Sequence, residues 1–289
     1  MKYKTFINAD QLFEIHTKSN IVIFDIRFGD ETQGSRNLIY LEAHIPGAIY
    51  ADFKYEITGD ENAGKGRNPL PKISDFKNWL EKNNLNPADS NLQIVIYDNN
   101  KGSNAARVWW QLRTMNFHSV AVLEGGYDQW IRKNFPIING EELRKKSEKS
   151  TIIPPTWEEG IFPFVEINEI KKNIETQNKI VIDSRDADRY NGVTTGIDPI
   201  AGHIPKSKLY HWASNVNEQG LLKSKETIKL QLNNVTKFQD INNIIFSCGS
   251  GVTACYNILV SEHVGLGIPA LYVGSWSEWS YHNPDLTEP

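Results

Sequence analysis

One cysteine lies where the sequence predicts a reactive loop. Cys248 follows the apolar run 244–247 and precedes five residues with short side chains: Gly249, Ser250, Gly251, Val252 and Thr253. A helical pattern begins next. A tight loop of this kind turns backbone N–H groups inward, and the helix adds the positive end of its dipole, so the loop favours an anion. Cys248 is therefore predicted to be a nucleophilic thiolate; the alternative is a cysteine that merely ends a buried strand.

The residues around Cys248 argue against phosphate chemistry. A cysteine phosphatase grips its substrate with an arginine of the loop, and the corresponding position here is Ala254. Without that arginine, a phosphate dianion lacks a bidentate partner. The loop is therefore predicted to hold a thiolate, or a thiolate that carries one more sulfur atom.

Two similar units are predicted to position such loops. Four patterns recur 149 to 159 residues apart: 22–27 with 180–185, 44–46 with 203–205, 94–98 with 244–248, and 125–130 with 274–279. Short apolar strands alternate with helical patterns in each unit, which is typical of an α/β layer with a mostly parallel sheet. We expect domains at 1–138 and 158–289, joined by a charged linker at 139–157.

The repeat also predicts which unit is active. Asp98 holds the position in the first unit that Cys248 holds in the second. Because a carboxylate cannot accept a sulfane sulfur, the first domain is predicted to be catalytically inactive and the second to be catalytic. The site is expected beyond the carboxyl ends of the strands, as in other open α/β sheets.

Residues that recur in both units are predicted to be architectural. These are His44 and His203, and the ion pairs Asp25–Arg27 and Asp183–Arg185. Since one unit lacks the nucleophile, a role that both units share is expected to be structural. Cys255 is expected to face a helix-packing surface.

Over essentially its whole length the chain resembles the tandem rhodanese family. The loop 248–254, Cys-Gly-Ser-Gly-Val-Thr-Ala, is similar to the active-site loop of the 3-mercaptopyruvate sulfurtransferases in that family. Further resemblance lies in 43–48, 107–110, 125–130 and 274–279. The resemblance implies two tandem rhodanese-like domains, each a mostly parallel sheet flanked by helices. It also implies that no metal or organic cofactor is needed.

The resemblance implies sulfur transfer from a small-molecule donor, 3-mercaptopyruvate, through a Cys248 persulfide. The acceptor would be a thiol, such as thioredoxin or a small thiol, or cyanide. Residues Gly249, Ser250, Gly251, Val252 and Thr253 would cradle the persulfide, with Ser250 as a second catalytic residue. Arg189 matches the family's arginine for the donor carboxylate, and Trp276 matches a pocket-wall aromatic residue.

Three positions depart from the family pattern. The second clamp arginine is missing from 194–198, Asn68 is the best match for a histidine, and Lys54 is the best match for an aspartate. Lys54 is expected to replace part of the lost charge in donor binding. A loop without cations disfavours dianionic thiosulfate, so mercaptopyruvate is the preferred donor. A thiosulfate sulfurtransferase and a non-catalytic sulfur carrier or regulatory binding module are the alternatives.

The composition limits the partners. The 289 residues are 39% hydrophobic with a formal net charge of −4, so packed domains are expected and nucleic acid is not an expected partner. No apolar run is long enough to predict a membrane span, and the first 20 residues lack the apolar core of a signal peptide. With two cysteines and no disulfide framework, a cytoplasmic location is expected.

Overall fold

A computed structural model describes residues 2–28, 37–61, 64–142 and 156–288. They form two compact units. The first comprises Met1–Gly59, Pro71–Ile161 and Glu218–Leu221, and the second comprises Asp60–Leu70, Phe162–Asn217 and Leu222–Pro289. Of the expected linker at 139–157, residues 143–155 lie outside the described residues.

The described part of the first unit contains a five-stranded sheet in the order β1-β5-β4-β2-β3. Its strands are β1 (Phe6–Ile7), β2 (Ile21–Asp25), β3 (Ala48–Tyr50), β4 (Gln93–Tyr97) and β5 (Val120–Leu123). Its helices are α1 (Ala9–Ile15), α2 (Leu38–Glu42), α3 (Ile73–Lys82), α4 (Ala105–Thr114) and α5 (Gly126–Arg132), with a π-helical segment at Phe53–Ile57.

The second unit repeats this arrangement, with a five-stranded sheet in the order β6-β10-β9-β7-β8 among its described residues. The strands are β6 (Phe164–Val165), β7 (Ile180–Asp183), β8 (Lys208–Leu209), β9 (Ile244–Ser247) and β10 (Ala270–Tyr272). The helices are α6 (Ile167–Thr176), α7 (Ala187–Tyr190), α8 (Lys225–Thr236), α9 (Thr253–His263) and α10 (Ser275–His282), with 3₁₀ turns at Trp212–Asn215 and Ile241–Asn243.

The paired strands of both sheets are parallel, and their registers correspond. Asp25 of β2 lies beside Tyr97 of β4, and Asp183 of β7 lies beside Ser247 of β9. Strand β9 is buried along its whole length, as expected for a strand that helices cover on both faces. The predicted fold class, two α/β units with parallel sheets flanked by helices, is confirmed.

Each unit has its own apolar core. In the first, it gathers around Ile23, Val95, Leu123 and Trp130, and in the second around Val181, Ile245, Trp276 and Trp279. Since each core contains residues of central strands and of the helices that follow them, it fixes the strand ends from which loops emerge. Among the described residues, no helix is long and apolar enough to cross a membrane.

The recurring charged pairs anchor equivalent strand ends. Arg27 Nη2 lies 2.6 Å from Asp25 Oδ2, and Arg185 Nη2 lies 2.7 Å from Asp183 Oδ2. All four residues are buried. Arg185 also donates to the carbonyl of Gly202 at 2.8 Å, which ties β7 to the turn before β8. The expected ion pairs are thus present in both units.

The recurring histidines make matching contacts. The Nδ1 atom of His44 lies 2.7 Å from the carbonyl oxygen of Tyr40, and that of His203 lies 2.8 Å from the carbonyl oxygen of Tyr190. Each imidazole also stacks on the ring of that tyrosine. These contacts hold a turn in place in each unit, which is the architectural role expected from their recurrence.

Candidate active site

Cys248 is the first residue after β9 and lies at the carboxyl end of the second sheet. Helix α9 begins at Thr253, so the connection is short. Gly251 within it has a φ of +71°, in the left-handed region that glycine enters without a steric penalty. Val252 at the N-cap makes no side-chain capping hydrogen bond. The positive end of the α9 dipole is therefore directed at this loop.

The start of α10 fixes the backbone of Cys248. The N–H of Cys248 donates to Ser275 Oγ at 3.0 Å, and its carbonyl accepts from the N–H of Trp276 at 3.0 Å. The N–H of Ser277 donates to the carbonyl of Gly249 at 2.9 Å. The backbone N–H and carbonyl of Cys248 are thus both hydrogen-bonded. Any backbone N–H groups that bind a sulfur anion must therefore belong to the residues after it. Cys248 itself is only 2% exposed.

Two guanidinium groups cover Gly249. A Cβ atom built on this residue would lie 2.6 Å from Nη2 of Arg189 and 3.0 Å from Nη2 of Arg67. A side chain here would displace one or both arginines, and this close approach explains the glycine. The loop itself lacks a cation, but two distant segments of the chain supply one each.

A buried carboxylate joins the two arginines. Nη1 of Arg67 donates to Oδ1 of Asp198, and Nη2 of Arg189 donates to Oδ2 of the same residue at 2.7 Å. The side chain of Asp198 is fully buried, whereas those of Arg67 and Arg189 are 21% and 23% exposed. A buried charge is tolerated when it is paired and hydrogen-bonded. Asp198 therefore holds both guanidinium groups in place over the loop.

Arg67 reaches the site because its segment, Asp60–Leu70, packs within the second unit. Gly66 has a φ of +81°, and a Cβ atom on it would lie 2.7 Å from the carbonyl oxygen of Gly274. The N–H of Arg67 donates to Oγ of Ser277 at 3.1 Å. The helix that anchors Cys248 thus also anchors the backbone of Arg67.

The charges of Arg67 and Cys248 interact. Burial and the nearby Arg189 lower the pKa of Arg67 from its ordinary value, whereas the negative charge of Cys248 raises it. A guanidinium has an ordinary pKa so high that it remains charged near neutral pH despite such a decrease. Arg67 therefore remains a cation beside Cys248.

Asn68 contacts the loop serine. Its Nδ2 donates to Oγ of Ser250 at 2.8 Å. This position was matched from the sequence to a histidine of the family, and the structure brings it to Ser250. Since Ser250 Oγ accepts this hydrogen bond, its own proton is left to donate to another group. An amide cannot titrate near neutral pH, so this pair orients the hydroxyl without acting as a base.

The remaining predicted site residues are placed as follows. Thr253 is the first residue of α9. Trp276 is fully buried in the core, and its indole N–H donates to the carbonyl of Ile200 at 3.0 Å. This is a packing role, and its role as a pocket wall remains a prediction. Lys54 is an exposed residue of the π-helical segment in the first unit, and its role in donor binding also remains a prediction.

The equivalent loop of the first unit contains its own anion. Asp98 Oδ1 accepts from the N–H groups of Asn100 and Gly102 at 2.9 and 2.7 Å, and Oδ2 accepts from those of Asn104 and Ala105 at 2.8 and 3.0 Å. Burial raises the pKa of this carboxyl, and the four donors oppose that shift. The loop at this position of the fold is therefore an anion cradle, filled here by an aspartate.

Sequence reasoning missed Arg67 and Asp198. Arg67 lies far from Cys248 in the chain, and its weak signals were two neighbouring glycines, Gly64 and Gly66, which allow a close approach. Asp198 was noted only as part of a segment that lacks an arginine. In residues 2–28, 37–61, 64–142 and 156–288, no group of three or more His, Cys, Asp or Glu side chains could hold a metal ion.

The chain is similar to known proteins over most of its length. The model of the rhodanese-like domain matches residues 8–133 and 166–282. A probable 3-mercaptopyruvate sulfurtransferase of Pseudomonas aeruginosa is 29% identical over 277 residues, which is 94% of each chain. The 3-mercaptopyruvate sulfurtransferase of Mus musculus is 32% identical over 245 residues, covering 82% of this chain and 77% of the mouse protein.

A solved structure is similar over almost the whole chain. The 3-mercaptopyruvate sulfurtransferase from Leishmania major superposes with a TM-score of 0.84 at 26% identity. The match covers 98% of this chain and 75% of that protein. The duplicated architecture is thus shared with proteins of this kind.

Proposed function

This chain belongs to the rhodanese-like domain family and is an enzyme of the sulfurtransferase class, and from that premise we propose that it transfers sulfur from 3-mercaptopyruvate through a persulfide on Cys248. The observation that carries the proposal is the position of Cys248 at the start of α9, next to the paired guanidinium groups of Arg67 and Arg189. That arrangement favours a thiolate and provides donors for a carboxylate.

In the first step, the thiolate of Cys248 attacks the sulfur atom of the donor. A sulfur–sulfur bond forms, and the carbon–sulfur bond of the donor breaks. The electron pair of that bond leaves as the enolate of pyruvate, which takes up a proton to give pyruvate. The persulfide formed on Cys248 loses the former thiol proton of the donor, so one proton is taken up and one released. No external oxidant or reductant is required.

Arg189 and Ser250 act on the donor in this step. The guanidinium of Arg189 binds the donor carboxylate, since a planar fork fits a carboxylate bidentately. The Ser250 oxygen accepts a hydrogen bond from Asn68. The Ser250 hydroxyl donates a hydrogen bond to the keto oxygen of the sulfur donor, where negative charge develops. The amides of Gly249 through Thr253 then cradle the persulfide.

In the second step, an acceptor removes the outer sulfur. A thiolate of thioredoxin or of a small thiol, or a cyanide ion, attacks that sulfur and restores the Cys248 thiolate. Donor and acceptor react in turn, so ping-pong kinetics are expected. The first unit supplies no nucleophile, since Asp98 fills its loop. Lys54 and Trp276 remain candidates for donor contacts. We place the reaction in the cytoplasm, where thiols stay reduced.

Thiosulfate is the second candidate donor, and the observation in its favour is the presence of two guanidinium groups next to the loop. Intact-mass spectrometry after incubation with each donor tests both candidates. We expect a gain of one sulfur atom on Cys248 and one equivalent of pyruvate from mercaptopyruvate, followed by loss of that sulfur when a thiol is added. A persulfide that forms but turns over poorly with acceptors would indicate a sulfur carrier. No mass gain with either donor would refute the proposal.

A further inference from the structure

The charge above the loop depends on Asp198. Arg67 and Arg189 each contribute one positive charge, and the carboxylate that they share contributes one negative charge. The three side chains therefore carry a net charge of +1 rather than +2. We propose that Asp198 determines donor specificity by neutralising one arginine, so that the site selects a monoanionic 2-oxo carboxylate over dianionic thiosulfate, with Arg67 as the second arm of the clamp. This inference rests on the proposed function.

Both arginines retain N–H groups that can bind a donor carboxylate while they also bind Asp198. Arg67 uses Nη1 for the carboxylate, and its Nη2 lies over Gly249. Arg189 uses one N–H of Nη2 for the carboxylate, and the same nitrogen, which carries a second N–H, lies over Gly249. A donor carboxylate can therefore bind next to the loop without displacing Asp198. Asp198 sets the net charge of the cluster, while the N–H groups of the arginines that Asp198 does not use contact the donor.

The net charge of the three side chains affects the binding of a monoanionic donor and of a dianionic donor differently. A thiolate at Cys248 balances the single positive charge of the cluster before any donor binds. A monoanion then adds one unbalanced negative charge, whereas thiosulfate adds two. In a half-buried site, each unbalanced charge is costly because solvent screens it poorly. The neighbouring pair Asp183–Arg185 carries no net charge, and exposed Glu61, which also acts on Arg67, is the same in every variant compared below.

The experiment measures the ratio of kcat/KM for thiosulfate to that for mercaptopyruvate in matched variants. Asp198→Asn keeps the shape of the side chain and raises the cluster charge to +2, so the ratio should rise roughly 10- to 50-fold. Arg67→Gln lowers the charge to zero and removes one arm of the clamp for either donor; because the dianion loses the larger electrostatic attraction, the ratio should fall by a similar factor. The double variant Arg67→Gln/Asp198→Asn restores +1 and should return the ratio to within about threefold of the wild-type value.

Two exposed residues provide controls with the same change of charge. Asp188→Asn on α7 and Lys65→Gln next to Gly66 alter the charge at the protein surface and should leave the ratio within about twofold. A purely structural role for Asp198 would lower both kcat/KM values together and would not predict opposite shifts. If Asp198→Asn fails to fold, Arg67→Gln alone still carries the test, because the ratio should fall in that variant.

The outcomes separate this inference from the proposed function. Opposite shifts in the single variants, with recovery in the double variant, support the inference. A ratio that stays within twofold in Arg67→Gln, or that fails to recover in the double variant, overturns it. A wild-type enzyme that forms no persulfide on Cys248 with either donor refutes the proposed function instead, because the mass measurement does not depend on which donor is preferred.

Discussion

Replacing Gly249 by alanine tests whether the arginines must lie against the loop. The new Cβ would lie 2.6 Å from Nη2 of Arg189 and 3.0 Å from Nη2 of Arg67, so these nitrogens must move by roughly 0.5 to 1 Å to reach an ordinary contact distance. They are the ends of long, flexible side chains, and φ of Gly249 lies outside the left-handed region. The substitution should therefore move the arginines and spare the backbone.

The effect on catalysis follows from that displacement. Nη2 of Arg189 is the atom that binds Asp198 at 2.7 Å, so moving it breaks or lengthens this hydrogen bond. A misplacement of about 1 Å can cost as much as 100-fold in rate. We expect kcat/KM for mercaptopyruvate to fall by about 10- to 100-fold, or roughly 1.4 to 2.7 kcal/mol. The kcat/KM of the acceptor should change much less, since its reaction starts from the persulfide.

Varying donor and acceptor in turn measures the two constants separately. A double-mutant cycle with Arg189→Ala provides the control, because Gly249→Ala should cost little once that side chain is removed. Arg189→Ala alone should lower the donor constant by about 10- to 100-fold. If Gly249→Ala leaves the donor constant within twofold of wild type, or if the two penalties add in full, the close approach of Arg189 does not matter for catalysis.

Three further predictions concern single residues. Cys248→Ser should abolish sulfur transfer and donor-dependent mass gain, while Cys255→Ser should keep most of both; a mass gain in Cys248→Ser would assign the sulfur elsewhere. Asn68→His should add an ionisation near pH ~6.5 to the pH profile of the donor kcat/KM, and an unchanged profile would mean that this position does not act through Ser250. Asp98→Asn should lower the free energy of unfolding by about 1–3 kcal/mol in urea denaturation, because an amide presents NH₂ to backbone donors; unchanged stability would show that the carboxylate does not hold its loop.

The fold and the place of Cys248 at a strand end were predictable because their signals are local. The apolar run of β9, the glycine-containing loop and the start of α9 are contiguous, so the sequence alone placed Cys248 at the end of a strand. The repeat added a second signal, since Asp98 occupies the equivalent strand end. Arg189 was found through its resemblance to a family motif, and the structure places it over Gly249.

The second cation was not predictable because it depends on a long-range contact. Arg67 joins the site through the packing of Asp60–Leu70 within the second unit, and neither composition nor periodicity indicates where such a segment folds. From the sequence, the second clamp arginine is expected near 194–198, and Lys54 is the predicted substitute for its charge. The same segment instead contributes Asp198, whose carboxylate orients the arginines that approach from elsewhere.

The two loops differ in sequence, and the residue at the strand end differs in its chemistry. In the first unit, the Asp98 carboxylate accepts from four backbone N–H groups and so occupies the cradle. In the second unit, the residue at the strand end is Cys248, whose charge depends on ionisation and whose sulfur can form a bond to another sulfur. A cradle that stabilises a fixed carboxylate also suits a thiolate or a persulfide, because each is an anion at the start of a helix. We therefore expect the identity of the residue at this strand end to decide whether a unit can carry a sulfur atom.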